Sequence, residues 1–426
     1  MQATCTHNTC LQTRAIPAPG ALRPRRWDWS LRLPRVWVAA AAFRADVGPT
    51  LVAGQTSNAL PSQVTFNLHR QTDADMAAPL KSLIDTGTKL YLDSVDPSEV
   101  DINLRYGAVG ATSNPAIISS IVASGNLDDQ IEQMLADGKD DSDIAWALTD
   151  RLVTDAEAKF ADIHASTNGN AGWVSFELDP LIEDPSLNMD IDQRVQTYIE
   201  LGKRWSDGHV NRMIKVPATE AGLRALEPLA AAGVTLNVTL IFTDQQYRSA
   251  REAIWRGVEG KVDPAKIKSV YSIFISRIDV YTQQQLQLSD RAQGMVGIVN
   301  AKRVWQENQQ FWADKNLPLQ QELIFASTGT KDPNDPPWKY VQALAGSDIQ
   351  TNPPETNAAV AESDLTFHRT VDEMPDADVL SEIDSAVDMN AMHDVLMAEG
   401  IAKFVKPQRA LLDLIAKKRS ELASAS

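Results

Sequence analysis

From Pro79 onward, short apolar runs alternate with longer segments whose apolar residues recur at helical spacing. Eight runs stand out as strand candidates: Lys89–Asp93, Ala108–Thr112, Trp173–Leu178, Met213–Val216, Thr235–Phe242, Ser269–Ile275, Glu322–Ser327 and Asp348–Thr351. Several are continuous β-branched or apolar stretches, as expected for parallel strands covered on both faces. Between them lie helices such as Glu220–Ala232, where Leu223, Leu226 and Leu229 share a face and Gly233 supplies the stop. Eight strands with helices between them predict an α/β fold closed as a (β/α)8 barrel. The competitor, an open doubly wound sheet, lacks support because the chain has no Gly-rich phosphate loop.

Two regions fall outside that alternation. Residues 1–75 are expected to be an extension that contributes little to the barrel of residues 76–426. Its first part carries Arg14, Arg23, Arg25, Arg26, Arg32, Arg35 and Arg44 but no lysine and only Ser30 as serine. An arginine-rich segment with Asp28 as its only acid suits a transit peptide, whereas the shortage of serine suits a disordered leader, the favoured reading. A cytoplasmic location is therefore expected, with a plastid as the alternative. After the eighth strand, Asp372, Glu373, Asp376 and Asp378 suggest a solvated loop, followed by two extra helices. The last should be amphipathic and packed on the barrel, with Pro407 near a helix start or kink.

Composition narrows the function classes. With 43% hydrophobic residues the chain can build a large core, and 56 acidic against 40 basic residues argue against a general nucleic-acid binder. The longest apolar run, Val36 to Phe43, is far short of the roughly 20 residues a membrane helix needs. Cys5 and Cys10 are the only cysteines, so the barrel has no disulfide, thiol nucleophile or cysteine metal site. The six histidines form no metal-type pair, and no metal is expected.

One residue breaks the apolar pattern chemically. Lys215 stands inside Met213-Ile214-Lys215-Val216-Pro217, where a buried strand should carry apolar side chains. Desolvation disfavours the charged form of a lysine, and a neutral amine can attack a carbonyl to form a Schiff base. The alternative is a lysine that snorkels its head into solvent. Barrel active sites lie at the C-terminal ends of the strands. Those ends would gather Asp93, Thr112, Asn114, Glu177, Lys215, Asn237, Thr239, Ser272 and Lys331 at one mouth. An amine, two carboxylates and several polyol-binding groups are the parts of a Schiff-base aldol reaction.

Six segments carry a family resemblance: Lys89-Leu-Tyr-Leu-Asp-Ser, Gly110-Ala-Thr-Ser-Asn-Pro, Ser175-Phe-Glu, Ile214-Lys-Val-Pro-Ala-Thr, Leu236-Asn-Val-Thr-Leu-Ile-Phe and Ser272-Ile-Phe-Ile-Ser-Arg. In this order they resemble the transaldolases. The segments Ala326-Ser-Thr-Gly-Thr-Lys and Glu399-Gly-Ile-Ala-Lys-Phe-Val-Lys-Pro are similar to that family's longer bacterial and plant branch. The likeness runs from about residue 80 to about residue 420. It implies a class I aldolase-like barrel with no cofactor. Lys215 would form the Schiff base, Glu177 would act as acid through a water, and Asp93 would be the general base. Asn114, Asn237, Thr239 and Ser272 would hold a dihydroxyacetone unit, and Arg277 and Lys331 the phosphate of a sugar-phosphate substrate. Where the family often has a second arginine, Lys331 offers a point charge; a surface salt bridge is its other reading. Phe274 stands where the related fructose 6-phosphate aldolases carry a tyrosine, which favours transfer over release. Two further readings are an aldolase on the same scaffold and a non-catalytic sugar-phosphate-binding barrel. The outer helices could support a homodimer.

Overall fold

The computed structural model describes residues 76–425. Eight parallel strands close into a barrel in sequence order. They are β1 (Lys89–Leu92), β2 (Ala111–Thr112), β3 (Val174–Glu177), β4 (Arg212–Pro217), β5 (Leu236–Ile241), β6 (Ser269–Phe274), β7 (Glu322–Ala326) and β8 (Ile349–Asn352). Closure comes from β8 lying beside β1, with Lys89 opposite Ile349 and Leu92 opposite Asn352. Every predicted strand is present. The second is reduced to two residues, and just before it Tyr91 packs against Gly110, where a Cβ would come within 2.3 Å of the tyrosine ring. The expected extension over residues 1–75 lies outside the described residues.

Alternation along each strand explains both the apolar runs and their exceptions. On β4, Ile214 and Val216 join the layer between barrel and outer helices, which also holds Phe176, Val238 and Ile273. Met213 belongs to the interior cluster with Tyr91, Trp173, Val270 and Ile324. Lys215 is two residues from Met213 and so faces the interior too. Glu220–Ala231 forms the predicted helix and Gly233, at φ +79°, follows its end.

The chain after β8 keeps the expected exposed acidic loop and departs from expectation at Pro407. The acidic segment is exposed, but Arg291 binds Asp376 and Asp378 at 2.6 and 2.5 Å, and Arg369 binds Asp372 at 2.8 Å. Those ion pairs tie the segment down, and Asp378 lies in the first turn of a helix spanning Ala377–Ala386. Of the helix start or kink expected at Pro407, the start is absent. Pro407 lies inside the terminal helix, Met389–Ala425, which runs on through it. Proline there cannot donate to the Lys403 carbonyl, and the helix packs on the helices Pro115–Ala123 and Asp141–Ser166.

Candidate active site

The mouth of the barrel opens into a cavity of about 600 Å³. Asp93, Thr112, Asn114, Lys215, Thr239, Ser272, Phe274, Arg277 and Lys331 all line it. Neighbouring strands set the arrangement at its base, because Glu177, Lys215 and Asn237 are opposite one another on β3, β4 and β5. Lys215 is only 5% exposed, which rules out the snorkelling geometry. Its Nζ lies 2.8 Å from Glu177 Oε2 and donates to the Ser113 carbonyl at 3.1 Å. The contact with Glu177 is direct, whereas the resemblance implied action through a water.

Burial pushes the Glu177 carboxyl up to about 7, against the opposing pull of the Lys215 ammonium. Asp93 is also pushed above the usual carboxylate range by burial, opposed by Lys215 and by the Thr112 hydroxyl, which donates to it at 2.9 Å. Burial thus raises both carboxyls beside one amine, and Glu177 is brought into the range where a carboxyl can give and take protons near neutral pH.

Polar side chains surround this pair. Asn114 caps the helix Pro115–Ala123, its Oδ1 accepting from the Ala116 and Ile117 amides at 3.0 and 3.1 Å. Its amide hydrogens remain to donate to a ligand. Ser272 donates to Asn237 Oδ1 at 2.8 Å, and Asn237 donates to Ser175 at 2.9 Å. Asn237 is therefore fully buried one layer beneath the cavity, where it fixes Ser272 rather than lining the mouth. Glu177 likewise faces a narrower apolar recess beside the main cavity and reaches it through Lys215.

Thr239 Oγ1 and Arg277 Nη1 are among the buried side-chain atoms of the described residues that have no hydrogen-bond partner. Buried polar atoms are normally satisfied, so two orphans bordering one cavity suit it to a polar ligand. Arg277 enters from the first turn of the helix Ser276–Gln285, its guanidinium 5.0 Å from the Phe274 ring centroid. Burial lowers its pKa, with Glu399 and Asp93 acting in the opposite direction. Lys331 is exposed, and among the described residues it forms no ion pair, so the salt-bridge reading finds no partner.

Sequence reasoning missed one wall. Val395, Leu396, Glu399, Lys403 and Phe404 of the terminal helix line the cavity. Their spacing marks a single helix face, but nothing in that spacing says that the face looks into a mouth.

A closed eight-stranded α/β barrel with a buried amine and two carboxyls at its mouth has the architecture of a (β/α)8-barrel enzyme. Residues 90–415 match the model of the transaldolase/fructose-6-phosphate aldolase family. "Transaldolase 2" of Nostoc sp. strain PCC 7120 is 33% identical over 341 residues, covering 72% of this chain and 87% of that protein. A transaldolase of Saccharopolyspora erythraea is 31% identical over 79% of this chain and 96% of its own length. One from Thermobifida fusca is 30% identical over 80% and 98%. The chain belongs to the transaldolase/fructose-6-phosphate aldolase family.

Proposed function

We propose that the chain is a transaldolase that carries a dihydroxyacetone unit from a ketose phosphate to an aldose phosphate on Lys215. Its family and its relatives named transaldolase, matched along most of their length, make it an enzyme of the transferase class. The observation that carries the reading is the buried Lys215–Glu177 pair beside Asp93 at the barrel mouth.

Lys215 attacks the C2 ketone of fructose 6-phosphate or sedoheptulose 7-phosphate. Glu177, protonated through burial, gives the proton with which the carbinolamine loses water. Asp93 takes the proton of the C4 hydroxyl, the C3–C4 bond breaks, and its electrons flow into the iminium to give an enamine. The aldose phosphate leaves. A second aldose phosphate then adds at C3, and hydrolysis of the new imine frees Lys215. Asn114, Thr239 and Ser272 hold the hydroxyls of the retained unit, with Asn237 fixing Ser272, while Arg277 and Lys331 hold the phosphate.

Borohydride reduction in the presence of fructose 6-phosphate should leave a three-carbon adduct on Lys215, read by mass spectrometry. No adduct would sink the reading. In the same assay, product formed equally fast with and without erythrose 4-phosphate would mean an aldolase instead.

A further inference from the structure

Strand β5 breaks the alternation of the barrel where it meets the terminal helix. Val238 pairs with Tyr271 and Ile241 with Ile273, so β5 has one residue more than β6 over that interval. The extra residue is accommodated by Leu240, whose φ of +57° is unusual for a residue with a branched side chain. Because of this bulge, Thr239 and Leu240 both turn inward, while Val238 and Ile241 remain in the outer layer. Leu240 thereby reaches the recess that holds Glu177.

The terminal helix closes over that side chain. It approaches at Gly400, where a Cβ would come within 3.1 Å of Leu240 and 3.7 Å of Phe242. One turn further on, Phe404 borders both the main cavity and the Glu177 recess. It is 8% exposed, and its ring centroid lies 5.5 Å from Lys215 Nζ. An aromatic face at that distance attracts a cation and excludes water on its side.

We propose that Phe404, seated by Gly400 over Leu240, is a positioning residue that keeps water from the three-carbon unit on Lys215 and so sets the ratio of transfer to release. The inference rests on the Schiff-base reading above. The enamine has two fates. In transfer, the carbonyl carbon of an acceptor bonds to C3. In release, C3 takes a proton, water adds at C2, the C2–N bond breaks, and dihydroxyacetone leaves with the amine restored. Only release needs water at C2 before an acceptor arrives. Phe404 guards the nitrogen side of that carbon, whereas Phe274 lies on β6 beneath Arg277.

The test measures dihydroxyacetone release from fructose 6-phosphate without acceptor, divided by transfer to erythrose 4-phosphate. Phe404→Ala should raise this ratio about tenfold, the effect of opening a dry site to water. Phe404→Leu, which restores apolar bulk, should return most of it and serves if the alanine variant folds poorly. Leu411→Ala, in the buried face of the same helix away from the cavity, should lower stability and leave the ratio alone. An unchanged ratio in both Phe404 variants, or an equal rise in Leu411→Ala, overturns the proposal. The borohydride adduct on Lys215 separates the two readings: with the adduct present and the ratio unmoved, only the role of Phe404 falls; with no adduct in the unsubstituted enzyme, both fall.

Discussion

Two buried lysines occupy opposite ends of the same barrel, and their surroundings differ in one respect. At the floor, Lys268 precedes β6 and binds Glu322 Oε2 at 2.5 Å and the Gln320 carbonyl. Glu322 Oε1 takes Lys89 at 2.7 Å, and Lys89 also donates to Asn170 O and Gln320 Oε1. Asp348 nearby accepts from the Leu323 amide, Trp305, Gln309 and Ser347. Each of these charges is saturated. At the mouth, Lys215 has the Glu177 carboxyl and one carbonyl, and orphaned atoms of Thr239 and Arg277 border the same cavity. A buried lysine by itself says little; a buried lysine whose neighbours lack partners awaits a ligand.

The largest test of that contrast exchanges the two lysines' fates. Lys215→Ala should abolish turnover and the borohydride adduct while the protein still folds. Lys268→Met should keep turnover per folded molecule but cost about 3 kcal/mol in urea unfolding, the scale of breaking a buried ion pair. Loss of activity in folded Lys268→Met would erase the distinction between floor and mouth.

That distinction was half legible in the chain. Strand-end reading placed Lys215, Asp93 and Ser272 correctly because inward and outward positions alternate by two. The same rule misplaced Asn237: it is the second residue of β5, too deep to reach the cavity. Alternation alone could not foresee the bulge that turns Leu240 inward, since only pairing with β6 reveals the extra residue. Nor could it supply Glu399, Lys403 and Phe404. Their helix face mixes apolar and charged residues, as many solvent-edge faces do, and only tertiary packing aims it at the mouth. The floor was the least legible part. Lys268 and Glu322 look like ordinary strand-edge charges until the closed barrel brings them together.

Titration sharpens the comparison, since both ends hold a carboxyl raised by burial. Glu177 is pushed up to about 7, and Asp348 up to about 6, with the neighbouring Glu322 charge adding to the effect of burial. If protonated Glu177 dehydrates the carbinolamine, kcat/KM should fall as pH rises through about 7, and Glu177→Gln should remove that limb. Asp348 acts on stability instead. A raised folded pKa means that the folded state holds its proton longer than the unfolded chain, whose ordinary value is about 4. Its favourable contribution is complete below about pH 4 and is lost as pH rises through about 6. Asp348→Asn should therefore flatten part of the stability fall over that window and leave the kcat/KM limb in place. A limb that moves in Asp348→Asn would show that the floor controls the mouth's chemistry.

The smallest expected effect concerns the two cations at the mouth, which differ in burial as the two lysines differ in saturation. Arg277 is partly buried with one orphaned nitrogen, so a phosphate there would gain charge-assisted hydrogen bonds in a partly desolvated place. Lys331 is exposed on the loop after β7, and solvent screening limits what its charge can contribute. Lys331→Ala should raise KM for fructose 6-phosphate only about threefold with kcat nearly unchanged, the pattern of lost uniform binding at a screened site. Unphosphorylated fructose as donor isolates the contact, because an effect through the phosphate must vanish with that substrate. An equal penalty on both donors would mean that Lys331 shapes its loop rather than meeting the substrate's charge.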